Sequence, residues 1–337
     1  MQIIQRVGWL RDLITYRLGI QTPKYCNFIL TKKCNSRCKF CNLWKSNEEG
    51  LPLRIIKRIF SDPFLKGLEW FQLTGGEPFL YKDLVPLVEF LSNKFNNPEI
   101  WIPTNGILTH HICKSVSEMP ENVGISVSID GRETVHNEIR GVKCYKNALA
   151  TLRCLSKFRA KVSIGFTISK INYKEITHVY KLARKLRVDF SYRPVNISEV
   201  YYENPDKETS FPKEGIIFLS NFFRKIGRND FYTTGTLEFL KNPRKRIIPC
   251  TALRNSFCLD HRGNVYPCLY FNVKLGNLLE QSMEEIWFSE KAEKVRKLIK
   301  EGHCPNCWVE CETYRNIGFY PEITKVLHNL RIHLHIR

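Results

Sequence analysis

The sequence predicts an α/β protein: six parallel strands with crossover helices, arranged as an open doubly wound sheet or a curved partial barrel, followed by a smaller cysteine-rich module. Three observations predict it. Between residues 25 and 195, short β-branched or aromatic runs alternate with helical patterns, as strands joined by crossover helices do. The cysteines fall into two clusters, one directly after the first strand and one between Cys250 and Cys311. Between the two halves the periodicity loosens into turn-rich sequence.

Taken in order, residues 1–24 read as an amphipathic extension, with Ile3, Ile4, Val7, Leu10, Ile14 and Leu18 on one helical face and Arg6 and Arg17 along its border. That face suits peripheral contact with an anionic membrane surface or docking against the main body, the commoner fate of a terminal amphipathic helix. Strands are expected at 25–31, 68–74, 98–103, 123–129, 161–168 and 188–195, and helices near 52–60, 82–95, 107–118, 143–158 and 172–187. These elements make a core over 25–200. Residues 201–249 read as a linker with a bridging helix at 214–227, then 250–318 as the cysteine-rich module and 319–337 as a basic tail whose His328, His333 and His335 belong at the surface.

At 337 residues and 43% hydrophobic, the chain can bury one large core and a smaller one. It contains neither an apolar signal-peptide core near its start nor an 18-residue apolar run, so a cytoplasmic location without a transmembrane segment is expected. Thirteen thiols in a reducing compartment then read as ligands rather than a disulfide framework. The net charge of +19 suits phosphorylated, nucleic-acid or anionic-lipid partners, or a solvated lysine-rich surface.

Cys34, Cys38 and Cys41 can converge on one centre from the loop after the first strand, while Cys26 sits within that strand and packs as a small apolar residue. Structural zinc takes four protein ligands, and no fourth Cys or His lies nearby. Three ligands leave a [4Fe–4S] cluster one iron open to a cofactor or substrate. This C-x-x-x-C-x-x-C, with Phe40 before the last cysteine, resembles the radical S-adenosylmethionine (radical SAM) enzymes. "TGGEP", with Gly75, Gly76, Glu77 and Pro78 after the second strand, resembles the same family's motif for the amino group of S-adenosylmethionine, and an acidic Glu77 can pair with an ammonium. "PTNG" with Asn105, "SVSIDG" with Ser128 and Asp130, and "HNEIRG" with Arg140 fall where similar enzymes contact ribose and the methionine carboxylate. Asp130 equally suits a helix cap.

The resemblance implies a partial (β/α)6 TIM-like barrel over residues 25–200, with a C-terminal cysteine-rich α+β auxiliary-cluster domain. It implies a reduced cluster that splits the sulfonium into methionine and a 5′-deoxyadenosyl radical, which removes hydrogen from substrate. It also implies an electron donor such as flavodoxin or ferredoxin.

In the second cluster, Cys250, Cys258, Cys268, Cys304, Cys307 and Cys311 supply six thiols, with Gly263 five residues before Cys268. Their spacing resembles the SPASM domain or its shorter relative, the twitch domain. No cysteine follows Cys311, so one auxiliary [4Fe–4S] cluster is expected, held by Cys250, Cys268, Cys304 and Cys307, with Cys311 able to replace one of them and Cys258 placed in a strand-like stretch. A zinc ribbon is the alternative for the same thiols. Cys113, Cys144 and Cys154 have no ligand spacing and read as small packing residues.

The functional expectation is a radical SAM enzyme acting on a peptide or protein, as SPASM-type enzymes often do. A phosphosugar- or lipid-modifying radical SAM oxidoreductase is the alternative within the family. A zinc-stabilised nucleic-acid binder is the non-enzymatic one.

Overall fold

The six expected strands form, as β1 Tyr25–Thr31, β2 Trp70–Gly75, β3 Glu99–Thr104, β4 Val123–Ser128, β5 Lys161–Ile168 and β6 Asp189–Pro194. The computed structural model describes residues 22–158, 160–205 and 210–319, without the side chains of 311 and 317–319. The amphipathic helix expected at 3–18 and the tail histidines lie outside these residues. Neighbouring strands pair in parallel throughout, and their order in the sheet is their order in the sequence. A doubly wound sheet reverses direction about its first strand. Consecutive order with right-handed crossovers instead puts every helix on one face, which makes this sheet the wall of a partial barrel.

The strands' period-2 pattern sorts the two faces. Phe71 and Leu73, Ile100 and Ile102, Ile125 and Val127, and Val162, Ile164, Phe166 and Ile168 are buried in the core beneath the helices. The alternate positions, among them Gln72, Ser126, Ser163, Ser191 and Arg193, line internal cavities. Trp101 lies flat on β4 because a Cβ at Gly124 would come 2.7 Å from its ring. The lumen is therefore hollow, with aromatic walls from Trp70, Trp101 and Phe190 between these polar positions, unlike the filled interior of a complete eight-stranded barrel.

Helices α1 Leu53–Ile59, α2 Leu84–Lys94 and α3 Thr109–Ser117 fall where the sequence places them. Helix α4, Glu133–Arg140, was not expected: it buries only His136, Ile139 and Arg140, too few apolar residues for a periodic signal. Helices α5 Tyr145–Leu155, α6 Ile176–Leu186 and α7 Lys213–Lys225 match their expected segments. Helix α8, Phe231–Lys241, replaces part of the expected linker. Its β-branched and glycine content hid it, and Gly235 is needed there because a Cβ would lie 2.0 Å from the Trp308 ring.

The C-terminal segment extends the same sheet. Strand β7, Ser256–Leu259, pairs in parallel with β1, and β8 Asn264–Tyr266 and β9 Gly276–Asn277 follow antiparallel. Helices α9 Met283–Trp287, α10 Glu290–Glu301 and α11 Glu310–Phe319 complete it. Ser282 and Glu285 form a capping box on α9. The Asn27 amide donates to Glu312 on α11 at 3.2 Å, which ties the two regions together inside the protein.

One cysteine reading is corrected here. Cys113 on α3 and Cys154 on α5, read as packing residues, are joined as a disulfide with their Cα atoms 6.4 Å apart. Their separation of 41 residues gives no sequence signal, because only the packing of α3 on α5 brings them together.

Candidate active site

The loop after β1 carries Cys34, Cys38 and Cys41 across the carboxyl ends of the strands, and backbone hydrogen bonds from three neighbouring segments fix it. The N–H groups of Gly76 and Glu77 donate to the carbonyls of Thr31 and Lys33, both at 2.8 Å. Arg37 and Lys39 N–H groups donate to the carbonyls of Arg140 and Ile139 at 2.8 and 2.9 Å, and Asn42 N–H to that of Tyr202 at 2.8 Å. The glycines expected to admit a ligand also have a local reason. A Cβ on Gly75, at φ +137°, would lie 2.3 Å from the Thr31 carbonyl oxygen, and one on Gly76 would lie 2.2 Å from that of Lys33. The paired glycines let the β2 loop lie directly against the cysteine loop.

These segments enclose a cavity of about 80 Å³ lined by all three cysteines, Phe40, Gly75, Gly76, Pro78, Asn105, Ser128 and Arg140. Thr167, Arg193, Tyr201 and Tyr202 also line it, and no sequence motif pointed to them. They come from β5, β6 and the loop after β6, which only the barrel's curvature brings opposite the cysteines. Phe40 packs edge-on against Tyr202 at 6.4 Å, and the Arg140 guanidinium lies 5.8 Å from the Phe40 ring centre.

Glu77 and Asp130 stand behind this wall. Glu77 is fully buried, with Oε1 accepting from the Thr104 hydroxyl and Oε2 from the Asn105 N–H, both at 2.8 Å. It clamps the β3 loop to the β2 loop, and burial pushes its carboxyl up to about 7. Asp130 accepts from Arg140 Nε at 2.7 Å and pairs with Nη2 at 2.6 Å, and it also accepts from the Thr167 N–H at 3.2 Å. Its charge holds the Arg140 fork towards the cavity, where Nη1 lies 3.7 Å from Cys38 Sγ.

The chemistry of the lining fits an iron–sulfur cluster with a bound cofactor. Three thiols face one cavity, and the buried Ser36 hydroxyl on the same wall has no partner among the described residues. Burial pushes the Cys34 and Cys41 thiols up to about 12, so a bound cation must draw their protons off.

A second group gathers in the C-terminal region. Cys250, Cys304 and Cys307 line a small cavity with Arg246 and Glu312, and Cys268 is buried, its thiol pushed up by desolvation. Arg246 Nη2 donates to Cys304 Sγ at 2.6 Å. Cys258 sits within β7, fully buried in the core. The Cys311 side chain lies outside the described residues.

Two family models match the chain: the radical SAM superfamily over residues 28–183, and SPASM, an iron–sulfur cluster-binding domain, over residues 250–312. The chain carries a radical SAM domain followed by a SPASM domain, and it spans less than two thirds of the length of the first curated relatives it matches. The family implies S-adenosylmethionine, a [4Fe–4S] cluster and auxiliary iron–sulfur chemistry, which displaces the zinc-ribbon and zinc-stabilised nucleic-acid-binding readings. The chain is 23% identical to the antilisterial bacteriocin subtilosin biosynthesis protein AlbA of Bacillus subtilis, over 81% of this chain and 61% of AlbA. It is 26% identical to the AdoMet-dependent heme synthase of Methanosarcina barkeri, over 85% of this chain and 88% of that protein. Streptococcus suis SuiB, solved with its precursor peptide SuiA, shares the fold at a TM-score of 0.65 and 17% identity, over 88% of this chain and 73% of SuiB. Among the described residues, no helix is long and apolar enough to cross a membrane.

Proposed function

We propose that this radical SAM enzyme modifies a peptide, with Cys34, Cys38 and Cys41 holding the cluster whose open iron takes S-adenosylmethionine. The observation that carries the site assignment is the convergence of the three thiols, the Gly75–Gly76 backbone and the Arg140 fork on one cavity. When bound, the cluster and S-adenosylmethionine would supply methionine and a 5′-deoxyadenosyl radical by one-electron cleavage of the sulfonium, the electron coming from a donor such as flavodoxin or ferredoxin.

The chain's own residues bind and orient. Carbonyls of the Gly75–Gly76 turn accept from the cofactor's ammonium, and Glu77 fixes that turn against Thr104 and Asn105 while placing a carboxyl behind it. Arg140 presents its fork to the cofactor carboxylate, with Asp130 acting as its positioning residue through the bond at 2.7 Å. Ser128 and Asn105 offer polar contacts from the ends of β4 and β3, and Phe40 with Tyr202 excludes water from the cavity's edge. Cys250, Cys268, Cys304 and Cys307 hold the auxiliary cluster.

Two things support the peptide reading: AlbA is a bacteriocin biosynthesis protein, and SuiB was solved with a precursor peptide. The coverage of the heme synthase supports a second reading, a small-molecule substrate. Dithionite-driven 5′-deoxyadenosine release is the test of the chemistry: it is expected in the reconstituted chain and lost in Cys34→Ala, Cys38→Ala and Cys41→Ala. Release undiminished in those variants overturns the assignment. A mass change on a precursor peptide encoded beside the gene supports the peptide reading, and a modified porphyrin or other small molecule replaces it.

A further inference from the structure

The lumen has a second, larger chamber beneath the first. It measures about 380 Å³, and Pro103 and Arg193 line both chambers. Trp70, Trp101 and Phe190 wall it from the barrel, and Glu310, Tyr314 and Arg315 close it from α11. Its size matches a pocket for one or two side chains.

Arg193 stands at the junction. Among the described residues its guanidinium makes no hydrogen bond, and no carboxylate comes within 4.0 Å of it to form an ion pair. The chamber's other guanidinium, Arg315, is taken: it pairs with Glu312 at 2.6 Å and lies 5.0 Å from the Tyr25 ring centre. Glu310 is the carboxylate whose field reaches Arg193, but it does not come within ion-pair distance of the guanidinium. Asp189, the remaining acid of the chamber, is exposed at the amino end of β6. Gly165 borders the fork: a Cβ there would lie 2.9 Å from Ser126 Oγ and in ordinary contact with Arg193 Nη2, at 3.8 Å. A guanidinium withdrawn from bulk water and left unpaired is costly, and its planar fork matches a carboxylate.

We propose that Arg193 is the specificity residue of the lumen and receives a substrate carboxylate, so that the peptide entering here presents an acidic side chain or its C-terminus. This rests on the peptide reading above. The apolar stem of that residue lies against Trp101 and Trp70, and the carboxylate fixes its distance from the upper chamber.

The test uses the full reconstituted chain with S-adenosylmethionine, following tryptophan fluorescence and calorimetry. The probes are N-acetylglutamate amide, its isostere N-acetylglutamine amide, N-acetylglycine, N-acetyllysine amide and inorganic phosphate. The glutamate probe is expected to bind about tenfold more tightly than the glutamine probe, and Arg193→Gln to erase that difference. Arg193→Lys restores part of it, while S-adenosylmethionine affinity stays within about twofold in both variants. Glu310→Gln, which removes the neighbouring carboxylate, tightens the glutamate probe severalfold, a gain that a misfolded chain does not give. Preference for the glutamate probe assigns the carboxylate to a side chain, and preference for N-acetylglycine assigns it to a C-terminus. Equal binding of the glutamate and glutamine probes overturns the proposal, as does tightest binding by phosphate or the lysine probe. Loss of S-adenosylmethionine affinity in Arg193→Gln with the acidic probe unchanged also overturns it, since the fork then serves the cofactor. Arg193-dependent binding without modification of any peptide refutes the peptide reading alone.

Discussion

Replacing Gly76 with alanine should dislodge the cysteine loop. The new Cβ would stand 2.2 Å from the Lys33 carbonyl oxygen and 2.7 Å from that of Lys32. Non-bonded contacts need more than 3 Å, so the loop must move by about 1 Å. It has little freedom to do so, because Lys33 O already accepts the Glu77 N–H at 2.8 Å and the loop's far side is bonded to Ile139 and Arg140. Overpacking of this kind costs about 1–3 kcal/mol, and losing the two β2-loop hydrogen bonds adds about 0.5–1.5 kcal/mol each. The expected total is about 2–6 kcal/mol, measured by denaturant unfolding of the chain before cluster loading. Iron bound after reconstitution should fall with it. Gly67→Ala is the control, since its Cβ would meet only the Pro23 carbonyl oxygen at 3.7 Å, an ordinary contact. If Gly76→Ala matches Gly67→Ala in stability and iron content, the account of the paired glycines is wrong.

Burial raises Glu77 to about 7 from its ordinary 4.5, so between those values the folded chain keeps a proton that the unfolded chain has released. The group therefore lowers stability as pH rises through that window, by up to about 3 kcal/mol, and by nothing further above it. Unfolding of the unloaded chain and of Glu77→Gln at pH 5, 6, 7 and 8 should show the variant becoming relatively more stable up to pH 7; a constant difference contradicts this. Asp130→Asn leaves the buried Arg140 charge unpaired, and about 3–5 kcal/mol should be lost. The loss should shrink in the Arg140→Met background, and a double-mutant cycle without coupling argues against the pair. For the auxiliary site, Cys258→Ala should keep the reconstituted iron and cost about 1 kcal/mol in packing, whereas Cys307→Ala should lower the iron content. Iron lost from the first variant and kept in the second would exchange their assignments.

The strands were legible because parallel strands buried on both faces read as apolar runs with small or polar residues at alternate positions, as in "SVSI" and "VSIGFTI". Which way the sheet curves was not in any one segment; it came from strand order, a relation between all six. Local motifs found the cysteines, the glycine pair and Arg140. They identified Glu77 and Asp130 without their orientation, since both carboxylates turn towards Thr104, Asn105 and Arg140 behind the cavity wall. Arg193, Tyr201 and Glu310 carry no motif, because their place depends on β6 and α11 meeting across the lumen. Likewise α4 stayed hidden because its buried face is His136, Ile139 and Arg140 rather than an apolar stripe.

The central claim is that three thiols suffice at residues 34–41 because the cofactor completes the site. Electron paramagnetic resonance of the dithionite-reduced, reconstituted chain tests it most directly. The account predicts that S-adenosylmethionine changes the spectrum of the intact chain. It predicts that Cys34→Ala, Cys38→Ala and Cys41→Ala combined leave an auxiliary signal indifferent to the cofactor. An intact chain whose spectrum ignores S-adenosylmethionine, or a triple variant whose spectrum still responds to it, would contradict the account.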